Sequence, residues 1–337
     1  MNETTCGILG FGFAFPETVR DYTEISARSG IPAEVVRDKL GIKQVYYPGG
    51  GEQPSELAIQ AAEHCLANTG VSASDIDLII YFGENYADHI IYNIGAKVQG
   101  AIGAKNAWSY NLDVKCASAI VALEQAKLYM QSDPDTNTVL LVGGYCNVER
   151  VDYRDGKLSF LFDVSCGGAA CLLQKGHTRR QFLSASTIVD GSFADTIIVP
   201  AGGTKHPVTS ENVNDPYLHS FRLTDPEGFR ERLDRVTLTN LVLAQEKALA
   251  KSGKTLKDLN FVCAAHMNTK NHRMLFDLLG MPLEQGTYLA DYGHVGQLDA
   301  LIALDMVQKQ GLAKPGDLIG LLAMGFGYVW NGAVIRW

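Results

Sequence analysis

The sequence predicts an α/β protein built from two similar halves, because it contains an internal repeat. The segment 61–80 aligns without gaps with the segment 244–263. In both copies Ala and Leu recur at helical spacing, a Gly ends the helix, and an apolar run of strand length follows. A second helix and strand, at 121–142 and 302–322, follow in the same order. Two units in one order and at nearly one spacing indicate duplication rather than chance.

The repeat also predicts the domain organisation. The chain has 337 residues and no polar linker that would separate independent domains. We therefore expect two closely packed βαβαβ-like halves, residues 1–176 and residues 177–337. Alternating strands and helices favour largely parallel sheets with helices on their faces. Sites in such folds form at the carboxyl ends of strands and the amino ends of helices.

Composition excludes several classes of function. The chain is 46% hydrophobic, and none of its apolar runs reaches the roughly 20 residues that span a bilayer. Its formal charge of −8 disfavours nonspecific binding to nucleic acid or to membrane surfaces. The opening residues 1–6 do not form a signal-type segment. We expect a soluble cytoplasmic protein that binds neither nucleic acid nor membrane.

The seven cysteines indicate reduced, mostly buried thiols. They are scattered along the chain without a Cys-x-x-Cys pair or a regular spacing. Cys263 and His266 have a spacing that a zinc ion could use, but two further ligands are lacking nearby. We therefore predict no metal site.

Cys116 is the candidate nucleophile. It lies where a polar strand end, 111–115, changes into a helical run from Ala117. A helix amino end and the neighbouring Lys115 would both favour the reactive thiolate by lowering the pKa of this thiol. The alternative is a small buried cysteine that packs beside its alanine neighbours.

Two histidines map to related positions in the second half. His266 follows the repeated strand, and His294 comes just before the helix equivalent to the one that Cys116 opens. A papain-like hydrolase would also combine a Cys with a His, but the repeat argues against that fold. A dinucleotide-binding site is poorly supported, because Gly10-x-Gly12 lacks the third Gly before a helix.

Short motifs recur in a fixed order along the chain. They are Gly10-Phe-Gly-Phe-Ala-Phe-Pro16, Gly41-Ile42-Lys43, Cys116-Ala-Ser-Ala-Ile-Val-Ala-Leu123, Val199-Pro-Ala-Gly-Gly203, Tyr292-Gly293, Lys314-Pro-Gly-Asp317 and the ending from Gly325 to Trp337. Together they resemble the ketosynthase III (3-oxoacyl-carrier-protein synthase III) branch of the thiolase superfamily. The resemblance implies a duplicated thiolase-type fold, layered α-β-α-β-α, and a homodimer.

The resemblance also implies a reaction. Cys116 would take an acyl group from a coenzyme A or acyl-carrier-protein thioester, and a decarboxylating malonyl-type thioester would then attack that group in a Claisen condensation. The oxyanion hole would consist of the backbone N–H groups of Cys116 and Phe326. His266 would donate to the second thioester oxygen. The thioesters are substrates, and the family pattern implies no other cofactor.

The sequence departs from the family pattern at His294, where the family has an Asn. An imidazole could replace the amide as a hydrogen-bond donor, could become charged, or could act as a base. It could also lie outside the chemistry. Related proteins without the Asn include acyltransferases that use hydroxyl or amine acceptors, and a partner-dependent ketosynthase subunit is a further alternative.

Two residues are predicted to bind substrate. Lys39 matches a basic residue of the family, whereas Val35 replaces the Trp that stacks on adenine, which favours a carrier-protein thioester or a repositioned coenzyme A. Glu84 stands in a strand-end loop where it could reach a substrate or a partner subunit, or could instead be a solvated charge or a turn acceptor. His272, six residues after His266, falls within a helical run and is a weak candidate for the catalytic partner.

Overall fold

The computed structural model describes residues 5–84 and 86–337. Residues 1–4, on which the prediction of a missing signal segment partly depends, lie outside the described residues, as does Asn85 in the loop of Glu84. Within the described part of the chain, every helix is too short or too polar to cross a membrane.

The elements alternate as predicted. The strands are β1 (Cys6–Ala14), β2 (Val19–Asp21), β3 (Gln44–Tyr46), β4 (Leu78–Phe82), β5 (Trp108–Leu112), β6 (Thr138–Cys146), β7 (Cys166–Lys175), β8 (Gln181–Val189), β9 (Ile197–Ile198), β10 (Arg222–Leu223), β11 (Phe261–Ala264), β12 (Leu318–Gly325) and β13 (Val329–Arg336). The helices are α1 (Tyr22–Ser29), α2 (Ala33–Asp38), α3 (Pro54–Thr69), α4 (Ile94–Ala101), α5 (Ser118–Ser132), α6 (Pro226–Lys251), α7 (Thr269–Leu279) and α8 (Asp299–Gln310).

The main sheet has the order β11-β12-β13-β8-β1-β7-β6-β4-β5. Its first-half strands, β1-β7-β6-β4-β5, correspond to β8-β13-β12-β11 of the second half. A parallel bridge between Val262 and Gly286 adds the start of a fifth strand beside β11. The two halves join where Gly7 of β1 pairs with Gln181 of β8. The same strand order in both halves supports the duplication.

The expectation of largely parallel sheets is wrong for the inner strands. The pairs β4–β5, β4–β6 and β11–β12 are parallel. The strands β7 and β13 instead run antiparallel to both of their neighbours. For β13 the reason is local, because a short turn after Gly325 returns the chain directly beside β12, which only an antiparallel pair allows.

The helices form three layers: one lies between the two halves of the main sheet, and one covers the outer face of each half. α5 contacts β4 and β6 of the first half as well as β8 and β13 of the second, and α8 likewise contacts β11, β12 and β7. These two helices therefore lie between the halves, in contact with each other. α3 packs on the outer face of β1 and β7, and α6 packs on the outer face of β13 and β8. The arrangement gives the predicted α-β-α-β-α layers.

Local signals explain the helix ends. α3 begins with a capping box in which Gln53 and Glu56 satisfy each other's backbone N–H groups, and Pro54 follows the cap. It ends at Gly70, which has the left-handed conformation that glycine adopts at low cost. All seven cysteines are free and buried, as the sequence predicts.

Candidate active site

The site forms where α5 and α8 begin, between the two halves. Cys116 lies two residues before α5, and His294 lies five residues before α8. His266 follows the carboxyl end of β11. The three side chains line one cavity of about 420 Å³, so the structure brings together the three predicted catalytic residues.

The chain turns sharply into Cys116. Lys115 has a φ of 53°, in the left-handed region that residues with a Cβ rarely adopt. Asp113 holds this turn, because its carboxylate accepts from the backbone N of Lys115 at 2.9 Å and from the Nζ at 2.7 Å. Such strain at a nucleophile presents the side chain at the edge of the sheet. The Lys115 ammonium group thus forms an ion pair with Asp113.

Gly325 packs against the nucleophile's backbone. A Cβ at this position would lie 3.0 Å from the backbone N of Cys116 and 3.0 Å from the Cβ of Lys115. A larger residue would therefore displace the end of β12 from Cys116. Phe326, the other predicted oxyanion-hole residue, follows directly and lines the same cavity.

His294 is held by Asp299 at the start of α8. Its Nδ1 lies 2.7 Å from Oδ2 of Asp299, and its ring also hydrogen bonds to the sulfur of Cys116. Burial alone would lower the pKa of His294. The Asp299 carboxylate and the Cys116 sulfur outweigh it and raise this pKa well above the ordinary value. The residue that replaces the family's Asn therefore favours the charged imidazolium form.

The surroundings of Cys116 raise the pKa of its thiol, whereas the sequence predicts a lowered pKa. The residue is only 4% exposed. Burial raises the pKa of its thiol, and the charge and hydrogen bond of His294 oppose that effect without cancelling it. Burial, the largest effect, therefore favours the neutral thiol. The helix start and Lys115 do not reverse it, because α5 begins beyond the cysteine and Lys115 pairs with Asp113. His294 is the group that favours the thiolate.

Glu84 contacts the nucleophile from another direction. The Cys116 thiol donates to Oε1 of Glu84 across 3.9 Å, and Nδ2 of Asn147 donates to Oε2 at 2.6 Å. Burial raises the pKa of Glu84, while Lys115 and Asn147 lower it. Tyr145, itself buried, hydrogen bonds to Asn147. Glu84 thus belongs to the site rather than to the solvent.

His266 is tied to the protein through three atoms. Its Nδ1 lies 2.8 Å from Oδ2 of Asp163, its Nε2 lies 3.2 Å from the carbonyl oxygen of Gly41, and its backbone N donates to Asp299 at 2.9 Å. Both ring partners are acceptors. Asp299 therefore supports His266 through the backbone and His294 through the side chain.

The remaining candidates lie outside this arrangement. His272 is buried in α7 against Phe276 and Tyr288, with ring centroids 4.7 and 4.8 Å away. It packs as a core side chain. Lys39 is exposed at the end of α2, beside Leu40, which lines the cavity. Cys263 is buried in β11. Among the side chains that the structure describes, groups of three or more potential metal ligands do not occur.

Sequence reasoning did not identify Asp163, Asn147 or Asp299. Asp299 had a usable signal, since it stands five residues after His294 at the first position of a repeated helix. Asp163 and Asn147 come from irregular segments whose position depends on the folded chain. Their polar side chains gave no local indication that they would meet His266 and Glu84.

The described cavity is an entrance passage with apolar walls. Cys116, His266 and His294 lie along it together with Met324 and Phe326. The other lining residues include Leu40, Lys157, Phe160, Leu223, Phe229 and Asn268. Glu84 and Asn147 are not among the residues that line this cavity. Glu84 contacts the sulfur, and Asn147 contacts Glu84.

Comparison with known proteins identifies the same chemistry. The family model for 3-oxoacyl-[acyl-carrier-protein (ACP)] synthase III matches residues 110–191, and the model for its C terminal matches residues 249–337. Together these matches cover just over half of the chain. The first contains Cys116, and the second contains His266 and His294.

Whole-chain comparisons agree. The chain is 28% identical over 334 residues to a beta-ketoacyl-[acyl-carrier-protein] synthase III of Syntrophomonas wolfei, covering 98% of this chain and 97% of the relative. It is 28% identical over 336 residues to the protein of that name from Acaryochloris marina, covering 99% and 98%. The crystal structure of 3-oxoacyl-[acyl-carrier-protein] synthase III from Aquifex aeolicus superposes with a TM-score of 0.83 at 22% identity, over 98% and 100% of the chains.

These findings confirm the predicted thiolase-type α/β fold and favour carbon–carbon bond formation over simple acyl transfer to a hydroxyl or amine. The chain is a condensing enzyme of the acyl-transferring class, and it belongs to the 3-oxoacyl-[acyl-carrier-protein] synthase III family.

Proposed function

We propose that this enzyme moves an acyl group from a coenzyme A or carrier-protein thioester to Cys116 and then condenses it with a malonyl-type thioester. The observation that carries the proposal is the position of the Cys116 sulfur. It lies in an apolar passage and contacts an imidazole that Asp299 holds in place. This is the arrangement that acyl transfer to a thiol needs.

In the acylation step, the charged His294 ring stabilises the developing Cys116 thiolate. The thioester oxygen becomes negative as sulfur attacks, and the backbone N–H groups of Cys116 and Phe326 are the proposed donors to it. The close packing of Gly325 on the Cys116 backbone supports this assignment. Because the charged His294 cannot accept a proton, the thiol proton passes to Glu84, the acceptor of its hydrogen bond, and from there to the departing thiolate.

In the condensation step, a malonyl-type thioester loses carbon dioxide and becomes an enolate. Once Cys116 is acylated, its sulfur is a poor acceptor, so the Nε2 proton of His294 becomes available for the enolate oxygen. His266 is the second proposed donor. Its Nε2 now faces the carbonyl oxygen of Gly41 and would exchange that contact for the substrate. The enolate then attacks the acyl carbon and displaces the Cys116 thiolate.

The residues near Leu40 bear on which carrier, coenzyme A or acyl carrier protein, brings the thioester to the cavity. Lys39 is exposed beside the lining residue Leu40, where it can meet a phosphate of either carrier. Val35 offers no flat ring on which an adenine could stack. We therefore favour an acyl carrier protein, or a repositioned coenzyme A, as the donor.

We further propose a homodimer in the cytoplasm, two halves divided near residue 176, catalysis in the acyltransferase class EC 2.3.1, and activity without a metal or other cofactor. Ile90 is 84% exposed, and the neighbouring Ile91 is fully exposed. Trp108, on the edge strand β5, is 49% exposed. Apolar side chains beside an unpaired strand edge support association with a second copy.

The test is intact-protein mass spectrometry after incubation with acyl-coenzyme A and acyl-carrier-protein donors. We expect an adduct of one acyl group that is absent in Cys116→Ala and retained in the control Cys146→Ala. A chase with a malonyl thioester should release a 3-oxoacyl product. Discharge only to a hydroxyl or amine would contradict condensation, and the absence of an adduct with every donor would contradict the nucleophile.

A further inference from the structure

The Cys116 sulfur contacts two ionisable side chains, although acylation removes only one proton. His294 hydrogen bonds to the sulfur and is already charged through Asp299. Glu84 accepts the thiol hydrogen bond at 3.9 Å. Decarboxylative condensation needs hydrogen-bond donors for an oxyanion, and a carboxylate cannot donate. Once Cys116 carries the acyl group, the proposed decarboxylative function therefore gives Glu84 no further task.

Glu84 is built into this position. Its Oε2 accepts from Asn147 at 2.6 Å, and Asn147 is 4% exposed and also bonded to Tyr145. The contact fixes one carboxylate oxygen and leaves Oε1 directed at the sulfur. Glu84 does not line the described cavity, so its contact with the sulfur is separate from the cavity's apolar lining.

An acyl group on Cys116 would place its α-carbon beside this oxygen. The α-carbon is two bonds from the sulfur, and Oε1 lies 3.9 Å from the sulfur. An acyl group that extends toward Glu84 therefore brings a C–H bond to the near-attack separation of about 3–3.5 Å. The carbonyl oxygen can meanwhile stay with the proposed backbone donors of Cys116 and Phe326.

We propose that Glu84 is a catalytic base that removes a proton from the α-carbon of the acyl group on Cys116, so that the acyl-enzyme itself becomes a carbon nucleophile. This inference rests on the proposed acylation of Cys116. It extends the chemistry to a condensation of two plain acyl thioesters in which no carbon dioxide is lost.

The α-C–H bond breaks, the proton goes to the Glu84 carboxylate, and the electron pair forms an enolate of the Cys116 thioester. The enolate attacks the carbonyl carbon of a second acyl thioester, a C–C bond forms, and that thioester's C–S bond breaks. The departing thiolate takes the proton from Glu84. The 3-oxoacyl group remains on Cys116 until a thiol or water releases it.

The burial that raises the pKa of Glu84 also makes its carboxylate a stronger base than a solvated one. Lys115 and the hydrogen bond from Asn147 oppose that rise in pKa and favour the ionised form. A carboxylate that a donor holds in a partly desolvated site is suited to removing a proton from carbon.

The experiment uses butyryl-coenzyme A in deuterium oxide, with no malonyl thioester present. Mass spectrometry of the Cys116 peptide gives the extent of acylation, and release of the acyl group gives its deuterium content. Once each protein is fully acylated, the wild type should incorporate deuterium at the α-carbon at least about a hundredfold faster than Glu84→Gln. The exposed Glu149→Gln is the matched control and should behave as the wild type.

The outcomes separate the two proposals. Adduct formation without deuterium in the wild type, or equal exchange in wild type and Glu84→Gln, would overturn the role of Glu84 and leave the acylation of Cys116 intact. Failure of every variant to form an adduct would overturn the proposed function and this proposal with it. Equal adduct levels also show that Glu84→Gln folds.

Discussion

The Nδ1 atom of His294 lies 2.7 Å from Oδ2 of Asp299, and the same carboxylate accepts the backbone N–H groups of His266 and Val295. One buried carboxylate therefore orients both histidines of the site. It raises the pKa of His294, and it accepts the backbone N–H of His266. The substitution of a histidine for the family's Asn thus includes a partner that keeps the ring charged.

Replacing Asp299 by Asn should lower the pKa of His294, because the carboxylate that raises it is lost. We expect acylation of Cys116 to slow by about a hundredfold, in the range of a lost acid–base group. An NMR titration of labelled histidines measures the pKa, and stopped-flow measures acylation. Asp305→Asn on the same helix, which breaks a pair with Lys309, is the control. An unchanged His294 titration would contradict the assignment.

Alkylation of Cys116 should report the effect of His294 on the thiol. Burial raises the pKa of this thiol and His294 lowers it, so alkylation by iodoacetamide should increase with pH on the alkaline side of neutrality. In His294→Asn the profile should shift to still higher pH, because the positive charge is removed. A profile that moves to lower pH, or remains in place, would show that His294 does not contact the sulfur in solution.

His272 should make the protein sensitive to mild acid. Burial, with a smaller contribution from His266, lowers the pKa of His272 to about 4, against an ordinary value of 6.5. The unfolded chain therefore binds a proton first, and the free energy of unfolding should decrease by roughly 3 kcal/mol as the pH falls from 6.5 to 4. Below pH 4 this contribution stays constant.

Urea unfolding at a series of pH values measures the effect of His272. His272→Phe should reduce the loss of stability over that range, whereas His64→Phe, at an exposed position of α3, should not. Equal pH dependence in His272→Phe and wild type would exclude His272 as the source.

Gly41→Ala should destabilise the protein beside His266, whose Nε2 faces the Gly41 carbonyl oxygen. The residue has a φ of 77°, and an added Cβ would lie 1.6 Å from the hydroxyl oxygen of Tyr288. We expect a loss of about 3 kcal/mol or more in the free energy of unfolding. Gly103→Ala, with a φ of 75° and open space around the Cβ, should cost roughly 1 kcal/mol. Similar losses in thermal or urea unfolding would contradict the steric argument.

The fold could be predicted from sequence because the repeat is local and periodic. The helix before Asp258 and the helix after Cys116 each have a counterpart at nearly the same spacing in the other half. These two pairs of segments were enough to predict the duplication. The inner strands could not be predicted as antiparallel, since an apolar run such as 329–336 has no direction of its own. Direction depends on the length of the turn before it.

The site could be predicted only in part, for a related reason. Cys116 and His294 stand at helix starts, where sequence gives a signal. The resting state of Cys116 could not be predicted, because it depends on burial and on Glu84, which reaches it from another strand. The position of Lys115 suggested activation by its charge, but a turn residue two positions earlier uses that charge.

The position of α5 and α8 between the halves has an evolutionary consequence. Cys116 precedes one helix, and His294 and Asp299 belong to the start of its duplicate. Neither copy contains a complete reaction centre, so an ancestral single half could have worked only as a pair of identical chains. After fusion, one copy was free to keep the nucleophile while the other specialised in handling protons, and separating the halves again would return neither activity.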